Sequence, residues 1–509
     1  MGTLTTESIS RSASPAQRRI FDLLLVIPFI LLFLIQLWHH QLWRDEMNAW
    51  ALTAASKTIP QLLGYVRYEA HGSVWYGLLW IVTRFTASPI ALKCVEGVIG
   101  ILIYVVLSLW APFSRLEKIL LYLSYFISFE YTVFSRMYGL CLLLVLTYVH
   151  FRVTHAERIL FNTALLCVLA NTDMMGVILS FALLVEYGID AIRKRWSNAA
   201  ALRQLIAPAS LYLLAVALAA WMLKPARHIS WRTTHHMFEH AKELHHCVQA
   251  ILSYIVVPWL PITDDFPQHF WNPWLWNLRQ HAFIIAALPL VLSAILILFL
   301  PNLRLFLIYF VTALCGILFG HLIYMGSTRH YGITFVAFLA AYWMLRYGRP
   351  RLPLLGVCLL GVSAVGGIQA AIGQWERPFS NAGAAARWLR AHHLDKAALV
   401  GTPDTSAAGV AEQLERPMYF LDCSCSDNFL LFADRRDGFS IDQIPQRLAV
   451  AADQLHTSDM ILINAYPLTG EQVNAIMQKG LRVEPLAQFT GAEAFEEDFF
   501  LYRIRQTNN

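Results

Sequence analysis

The stretch "HHQLWRDEMNAW" occupies residues 39–50, where a long apolar run gives way to two adjacent carboxylates, Asp45 and Glu46. The run before it, Ile20 to Trp38, is apolar at every position except Asp22, Pro28 and Gln36. That is close to the roughly 20 apolar residues that cross a bilayer. A cleaved secretory signal is shorter and ends at small residues. This run ends in Trp38, His39 and His40, so it reads as a retained span. Carboxylates are costly to hold near hydrocarbon, so an Asp-Glu pair just past a span end asks for a use.

The rest of the 509 residues supports a membrane protein. The chain is 57% hydrophobic and 14% charged, against about 45–50% and about 25% in an average soluble domain. Apolar blocks of span length fall near 20–38, 89–110, 118–134, 137–152, 159–172, 174–191, 204–223, 282–300, 305–323, 331–346 and 352–372. Basic residues mark every second connection: Arg18 and Arg19, Arg115 and Lys118, Arg152 and Arg158, Arg193 to Arg195, Arg304, then Arg346 to Arg351. Cytoplasmic loops carry this bias. The reading is a mainly α, polytopic membrane protein of about eleven spans, N-terminus inside and C-terminus outside. Two further apolar segments, 72–85 and 247–260, fit helices lying at the outer interface.

Residues 1–374 form the expected transmembrane domain, with a first outer loop at 39–88. From 375 to 509 the pattern changes. Helix-like "GAAARWLRAHH" alternates with the β-rich runs "AALVGTP", "RPMYFLD", "DMILINAY" and "FFLYRIR", which predicts a small α/β domain on the outer face. No Gly-rich phosphate loop opens its helices, and the net charge of +5 gives no reason to expect nucleic acid. Among eight cysteines no C-x-x-C pair occurs, so neither a zinc site nor a disulfide framework is implied.

This topology gathers polar residues from separate places at one membrane face. Asp45 and Glu46 follow the first span, His71 precedes the helix at 72–85, and Lys93 opens the second span. Arg136 and Tyr138, then Asn171 and Asp173, then Arg329, His330 and Tyr331 sit at later junctions. Such groups usually line a cavity. A carboxylate can take a proton from a hydroxyl, and cations can hold a phosphate and stabilise charge as a bond to it breaks. Apolar walls between spans suit a lipid tail. Each residue also has a plain structural use. Asp45 and Glu46 fit a helix N-terminus, Lys93, Arg136 and Arg329 fit interface anchors, and Asn171 and Asp173 fit helix caps. The stretch "HISWRTTHHMFEHAKELHH" (228–246) places His236 with His240, and Glu239 with Glu243, four apart. Such pairs share a helix face, but no second motif completes a metal site. The aromatic "FWNPWLW" (270–276) fits sugar stacking or an ordinary interface belt.

The run from "RDEMNAWALTAAS" through "EAHGSVWYGLLWIVTRF" to "PIALKCVEGVIGILIYVVL" resembles the first outer loop and second span of GT-C integral-membrane glycosyltransferases. It is most similar to the bacterial relatives of protein O-mannosyltransferases and of lipid A aminoarabinose transferases. "SRMYGLCLLL" and "STRHYGITFV" resemble that family's Arg-Tyr elements. The resemblance implies a sugar carried on a polyprenyl phosphate and transferred to an acceptor hydroxyl, in a glycan, lipid or protein, outside a bacterial inner membrane. It further implies Asp45 as general base with Glu46 supporting it, and Lys93, Arg136 and Arg329 at the donor phosphate. His71, Tyr138, Asp173, His330 and Tyr331 would line the substrate site. Two positions depart from the family pattern. "HGSVWY" lacks the Pro-Pro after its histidine, and Lys93 stands where the family has arginine, giving up bidentate phosphate binding. The competing functions are a transporter of lipid-linked sugars and a non-catalytic subunit that binds them.

Overall fold

The computed structural model describes residues 15–195, 202–224, 244–261, 271, 282–347, 353–432 and 439–506. Its helices run α1 (Pro15–His39), α2 (Arg44–Ala55), α3 (Ile59–Glu69), α4 (Ser73–Val82), α5 (Ile90–Leu109), α6 (Arg115–Leu123), α7 (Met137–Thr154) and α8 (Ile159–Ala170). They continue with α9 (Met174–Arg195), α10 (Ile206–Leu223), α11 (Leu244–Ile255), α12 (Ala282–Phe299), α13 (Leu303–Leu322), α14 (Ile333–Arg346) and α15 (Leu354–Glu376). Among the described residues, seven segments are long and apolar enough to cross a membrane: α1, α5, α7, α9, α10, the run Ile285–Leu322 and α15. That run is broken by a 3-10 turn at Leu300–Asn302. The protein is an integral membrane protein with a polytopic helical body.

Three expected spans take shorter forms. The block 118–134 is not one helix. Ser124 donates its hydroxyl to the Leu121 carbonyl, Ser128 donates to the Leu123 and Ser124 carbonyls, and the chain resumes as a π turn at Phe126–Glu130. Hydroxyls that bond back to the main chain compete with the helical ladder. The Leu123 carbonyl lies against Gly367 of α15, where a Cβ would stand 2.0 Å from the oxygen. Small residues allow such close approach between helices in a bilayer. The blocks 159–172 and 331–346 give helices of 12 and 14 residues. α14 is buried at every position but Met344, so its all-round apolarity reflects the centre of a bundle.

Buried ion pairs tie the bundle together at one end. Arg152 of α7 meets Glu186 at 3.2 Å and Asp190 at 2.9 Å, both on α9, and Arg304 of α13 meets Glu186 at 3.2 Å. Arg346 of α14 holds Glu117 of α6 at 3.0 Å. Arg152 closes α7, whose first residue follows Arg136, so Arg136 lies at the opposite end.

The C-terminal region carries a six-stranded sheet. Its strands are β1 (Ala398–Thr402), β2 (Met418–Phe420), β3 (Cys425–Asp427), β4 (Asp459–Asn464), β5 (Leu481–Phe489) and β6 (Phe499–Gln506), in the order β3-β2-β1-β4-β6-β5. β2, β1 and β4 run parallel, with antiparallel β3 at one edge and β6 and β5 at the other. α16 (Ala382–Ala391) and α17 (Asp404–Gln413) cover the face of Leu399, Ile461 and Leu501, while α18 (Ile444–Gln454) and α19 (Gly470–Gln478) cover the face of Val400, Leu462 and Ile504. The alternation along β1 and β4 is that of a sheet buried on both sides. Each large apolar side chain so buried contributes about 1.5–3 kcal/mol. The four β-rich runs form β1, β2, β4 and β6. β3, only three residues long, and β5, whose Pro485 suits an edge strand, leave no comparable mark in the sequence. Cys423 and Cys425 are joined by a disulfide, a bridge that the search for C-x-x-C spacing does not reveal.

Gly367→Ala forces a methyl into the Leu123 carbonyl and is expected to cost about 1–3 kcal/mol. At Gly361, on the same helix, a Cβ meets nothing within 4 Å. Thermal unfolding in detergent should show a lowered melting temperature for Gly367→Ala and none for Gly361→Ala.

Candidate active site

The site is organised by α2. Trp43 is its extended N-cap residue and Glu46 its third helical residue. The Glu46 carboxylate is fully buried and accepts three hydrogen bonds: from the Trp43 N–H at 3.1 Å, from His40 Nε2 at 2.9 Å and from the Ser135 N–H at 2.6 Å. Asp45 precedes it by one residue, about 100° around the helix, and faces elsewhere. Its side chain stays 29% exposed and pairs with Arg329 at 3.0 Å. The adjacent carboxylates therefore separate: one anchors the helix and the other faces a polar site.

Arg136 donates to the Asp45 main-chain carbonyl through Nη1 and to His71 Nε2 at 3.1 Å through Nη2. An arginine only donates, so His71 Nε2 is the unprotonated nitrogen. Burial and then Arg136 push the His71 pKa down to about 3, keeping the ring neutral. Its loop is held by Gly72, where a Cβ would stand 2.2 Å from the Asn171 carbonyl, and by the Val74 N–H bonding that same carbonyl at 3.1 Å. The guanidinium of Arg329 lies 5.2 Å from the Trp43 ring and 6.0 Å from the Trp271 ring, a cation–π arrangement. Tyr131 donates to the Arg329 carbonyl at 2.6 Å. His330 Nδ1 accepts from the Ser327 N–H at 3.0 Å, so its Nε2–H is the donor to the Tyr138 hydroxyl at 3.3 Å. Tyr331 packs on Tyr254, 5.1 Å between rings, and donates to the Gly326 carbonyl at 3.1 Å.

Two carboxyls of this site have opposite environments. Burial raises the pKa of Asp45, but Arg329, Arg136 and Arg44 outweigh it and hold the group below its ordinary value. Burial dominates at Glu69 and, despite Arg136, lifts it to about 7, with Asp45 pushing the same way. Glu69 accepts from Asn48 Nδ2 at 2.9 Å. It is the site residue that the sequence reading missed. One signal was present: Glu69 ends a helix, where the dipole disfavours a negative charge.

The remaining candidates carry structural hydrogen bonds. Lys93 donates to the Trp38 and His40 carbonyls at 3.0 and 2.5 Å, closing the end of α1 on the Glu46 side. Asp173 caps α9 by accepting the Gly176 N–H at 2.7 Å; burial raises its pKa to about 6, opposed by that bond and by Arg136. Asn171 donates to the Cys167 and Ala215 carbonyls. His236, Glu239, His240 and Glu243, and all of "FWNPWLW" except Trp271, lie outside the described residues. Among the described residues no three His, Cys, Asp or Glu side chains are placed to hold a metal.

The sheet region braces the same helix from the other side. Arg44 meets Glu496 at 2.8 Å and Ser406 at 3.2 Å, and its N–H donates to Glu497 at 3.2 Å. Asn48 exchanges hydrogen bonds with the main chain of Leu430, at 2.6 and 3.3 Å.

This is a polytopic helical body with a buried polar site where it meets an α/β region. The particular likeness is to a solved structure, ArnT from Cupriavidus metallidurans bound to undecaprenyl phosphate. The TM-score is 0.52 at 11% sequence identity, over 95% of this chain and 98% of that one. The chain thus shares the polytopic fold of that structure, the fold expected from the sequence resemblance. No family model and no curated protein matches the sequence.

Two outcomes are expected. Glu46→Ala leaves the Trp43 and Ser135 N–H groups and His40 without their acceptor, at about 1–3 kcal/mol for each buried group; Asp45→Asn, partly exposed, leaves the melting temperature nearly unchanged. The raised pKa of Glu69 means that the folded state holds its proton more tightly, so its stabilisation is complete below about 4.5 and lost as pH rises through about 7. The melting-temperature advantage of the native protein over Glu69→Gln should therefore shrink from pH 5 to pH 8.

Proposed function

We propose that this protein is a GT-C-type glycosyltransferase. It moves a sugar from a polyprenyl-phosphate-type lipid to an acceptor hydroxyl at the outer face of a bacterial inner membrane, with the N-terminus cytoplasmic and the α/β region outside. The observation that carries this reading is the pairing of Asp45 with Arg329 beside Arg136. The Nε atoms of both arginines are buried and have no partner. Two such guanidiniums and neutral histidines leave a site with excess positive charge, suited to a phosphate. The fold likeness to ArnT, whose structure holds undecaprenyl phosphate, supports the same ligand class.

In the proposed reaction the acceptor oxygen attacks the anomeric carbon. The bond from that carbon to the phosphate oxygen breaks, and the phosphate leaves with the electron pair. Asp45 takes the hydroxyl proton. A carboxylate with a depressed pKa is a poor base while Arg329 holds it. A donor phosphate competes for Arg329, and its arrival relieves Asp45 of that partner and raises its basicity. Arg136 and Arg329 then stabilise the charge that grows on the leaving phosphate. Glu46 keeps Asp45 in place. Lys93 serves the donor phosphate by the family resemblance, while its hydrogen bonds favour a role in closing α1. His71, Tyr138, Asp173, His330 and Tyr331 shape the substrate walls.

The test uses purified protein and a panel of polyprenyl-phosphate sugars with candidate acceptors, reading release of polyprenyl phosphate. A general base contributes about 10²–10⁴-fold, so Asp45→Asn should lose at least about 100-fold with an unchanged melting temperature. Native-level release by that variant would sink the assignment of Asp45. Binding of the lipid-linked sugars without release by any pair would favour a non-catalytic binding protein.

A further inference from the structure

A second site stands away from Asp45, where the end of α1, the end of α15 and the start of α16 meet. A cleft of about 250 Å³ opens there, and none of the residues around Asp45 lines it. Beside it an apolar groove of about 360 Å³ lies between Leu31, Leu34, Ile35, Trp38 and Trp375. His39 and Trp375 line both spaces, and their rings stack at 4.2 Å. The groove is on the lipid-facing side, with Trp38 69% and Trp375 53% exposed. An indole at the end of a span marks the depth of the headgroups.

The cleft itself is polar and cationic. Arg377 and Arg387 line it against the single carboxylate of Glu376, and neither arginine has an ion-pair partner among the described residues. Two of its wall residues are buried to 1% exposure and keep an unpartnered atom, His40 at Nδ1 and Gln374 at Oε1. Their other atoms are taken: His40 Nε2 by Glu46, and Gln374 Nε2 by the Gln36 carbonyl at 3.1 Å. Buried polar atoms are usually satisfied. An amide oxygen accepts only, so its missing partner is a hydroxyl or N–H rather than a phosphate oxygen. The arginines ask for an anion and the amide for a donor, with apolar surface alongside.

We infer that the cleft and groove together bind one phospholipid whose anionic headgroup carries hydroxyls. The phosphate lies by Arg377 and Arg387, the headgroup hydroxyls reach Gln374 and His40, and an acyl chain follows the groove past Trp38 and Leu31. This assignment does not rest on the transferase reading. His40 gives its second nitrogen to Glu46, so the occupant would touch the same imidazole that anchors α2.

The experiment is native mass spectrometry of the full chain, purified in detergent and given equimolar phosphatidylglycerol, phosphatidic acid and phosphatidylcholine. Phosphatidylglycerol should be retained over phosphatidylcholine at pH 8, with phosphatidic acid, whose ionised phosphate carries no alcohol hydroxyls, between them. Arg377→Gln with Arg387→Gln should cut the preference about fivefold for each arginine removed. Arg390→Gln on the same helix is the control, because Arg390 donates to the Gln413 carbonyl and does not line the cleft. Its preference should match the native protein. Equal retention of phosphatidylglycerol and phosphatidylcholine, or a double variant indistinguishable from Arg390→Gln, overturns the site. Equal retention of phosphatidic acid and phosphatidylglycerol overturns the hydroxyl contacts.

Discussion

Three hydrogen bonds converge on the carboxylate of Glu46, and the geometry of the polar site descends from them. A buried carboxylate is tolerable only when its lone pairs are filled. Filling them draws in the end of the first span through His40, the start of α2 through Trp43 and the turn before α7 through Ser135. With those segments locked, Arg136 lies within reach of the Asp45 main chain although 91 residues separate them. Asp45, on the neighbouring helical position, is then presented to Arg329 at a fixed distance. Breaking one partner of such a set exposes an uncompensated buried group, so the anchor is an all-or-none feature of the fold.

From that anchor the site acquires two carboxyls with opposite tendencies. Asp45 faces three arginines and stays charged, whereas Glu69, half-buried at the end of α3, holds its proton up to about neutral pH. Paired acids with divided protonation states are a recurrent arrangement where protons are moved. Here the division comes from position along α2 and α3 and needs no difference in side-chain chemistry. The histidines follow the same logic. His71 and His330 are buried against arginines and stay neutral, so they contribute directional hydrogen bonds without adding charge.

Much of the bundle could be read from hydrophobic blocks, because length and apolarity alone decide what a bilayer accepts. Where the reading failed, the cause was local. Ser124 and Ser128 redirect their hydroxyls to main-chain carbonyls and break a block that composition treats as continuous. α14 is only 14 residues long and apolar on every face, because its surroundings are other helices, so its composition gives no sign of where its helix begins or ends. β5 disguises itself with Pro485 and exposed charges, as an edge strand does. At the polar site, Asp45, His71, Arg136 and Arg329 were legible because ionisable residues from separate junctions converge on one membrane face. Adjacent Asp45 and Glu46 looked like one unit in the sequence, and only helical geometry splits them. Glu69 was obscured by its place in an ordinary amphipathic helix.

α2 is gripped from both sides. The membrane body holds Glu46 and Asp45, and the sheet region holds Arg44 and Asn48 through Glu496, Glu497 and Leu430. Four of its first five residues thus answer to two different parts of the chain. Such a helix leaves little freedom for modular exchange. A sheet domain grafted from another protein would need to bring its own complements to Arg44 and Asn48, or the helix bearing Asp45 would lose half of its support. Neither half can therefore be exchanged alone: a new partner must reproduce the contacts to Glu496, Glu497 and Leu430 at the seam as closely as a core substitution must reproduce its neighbours.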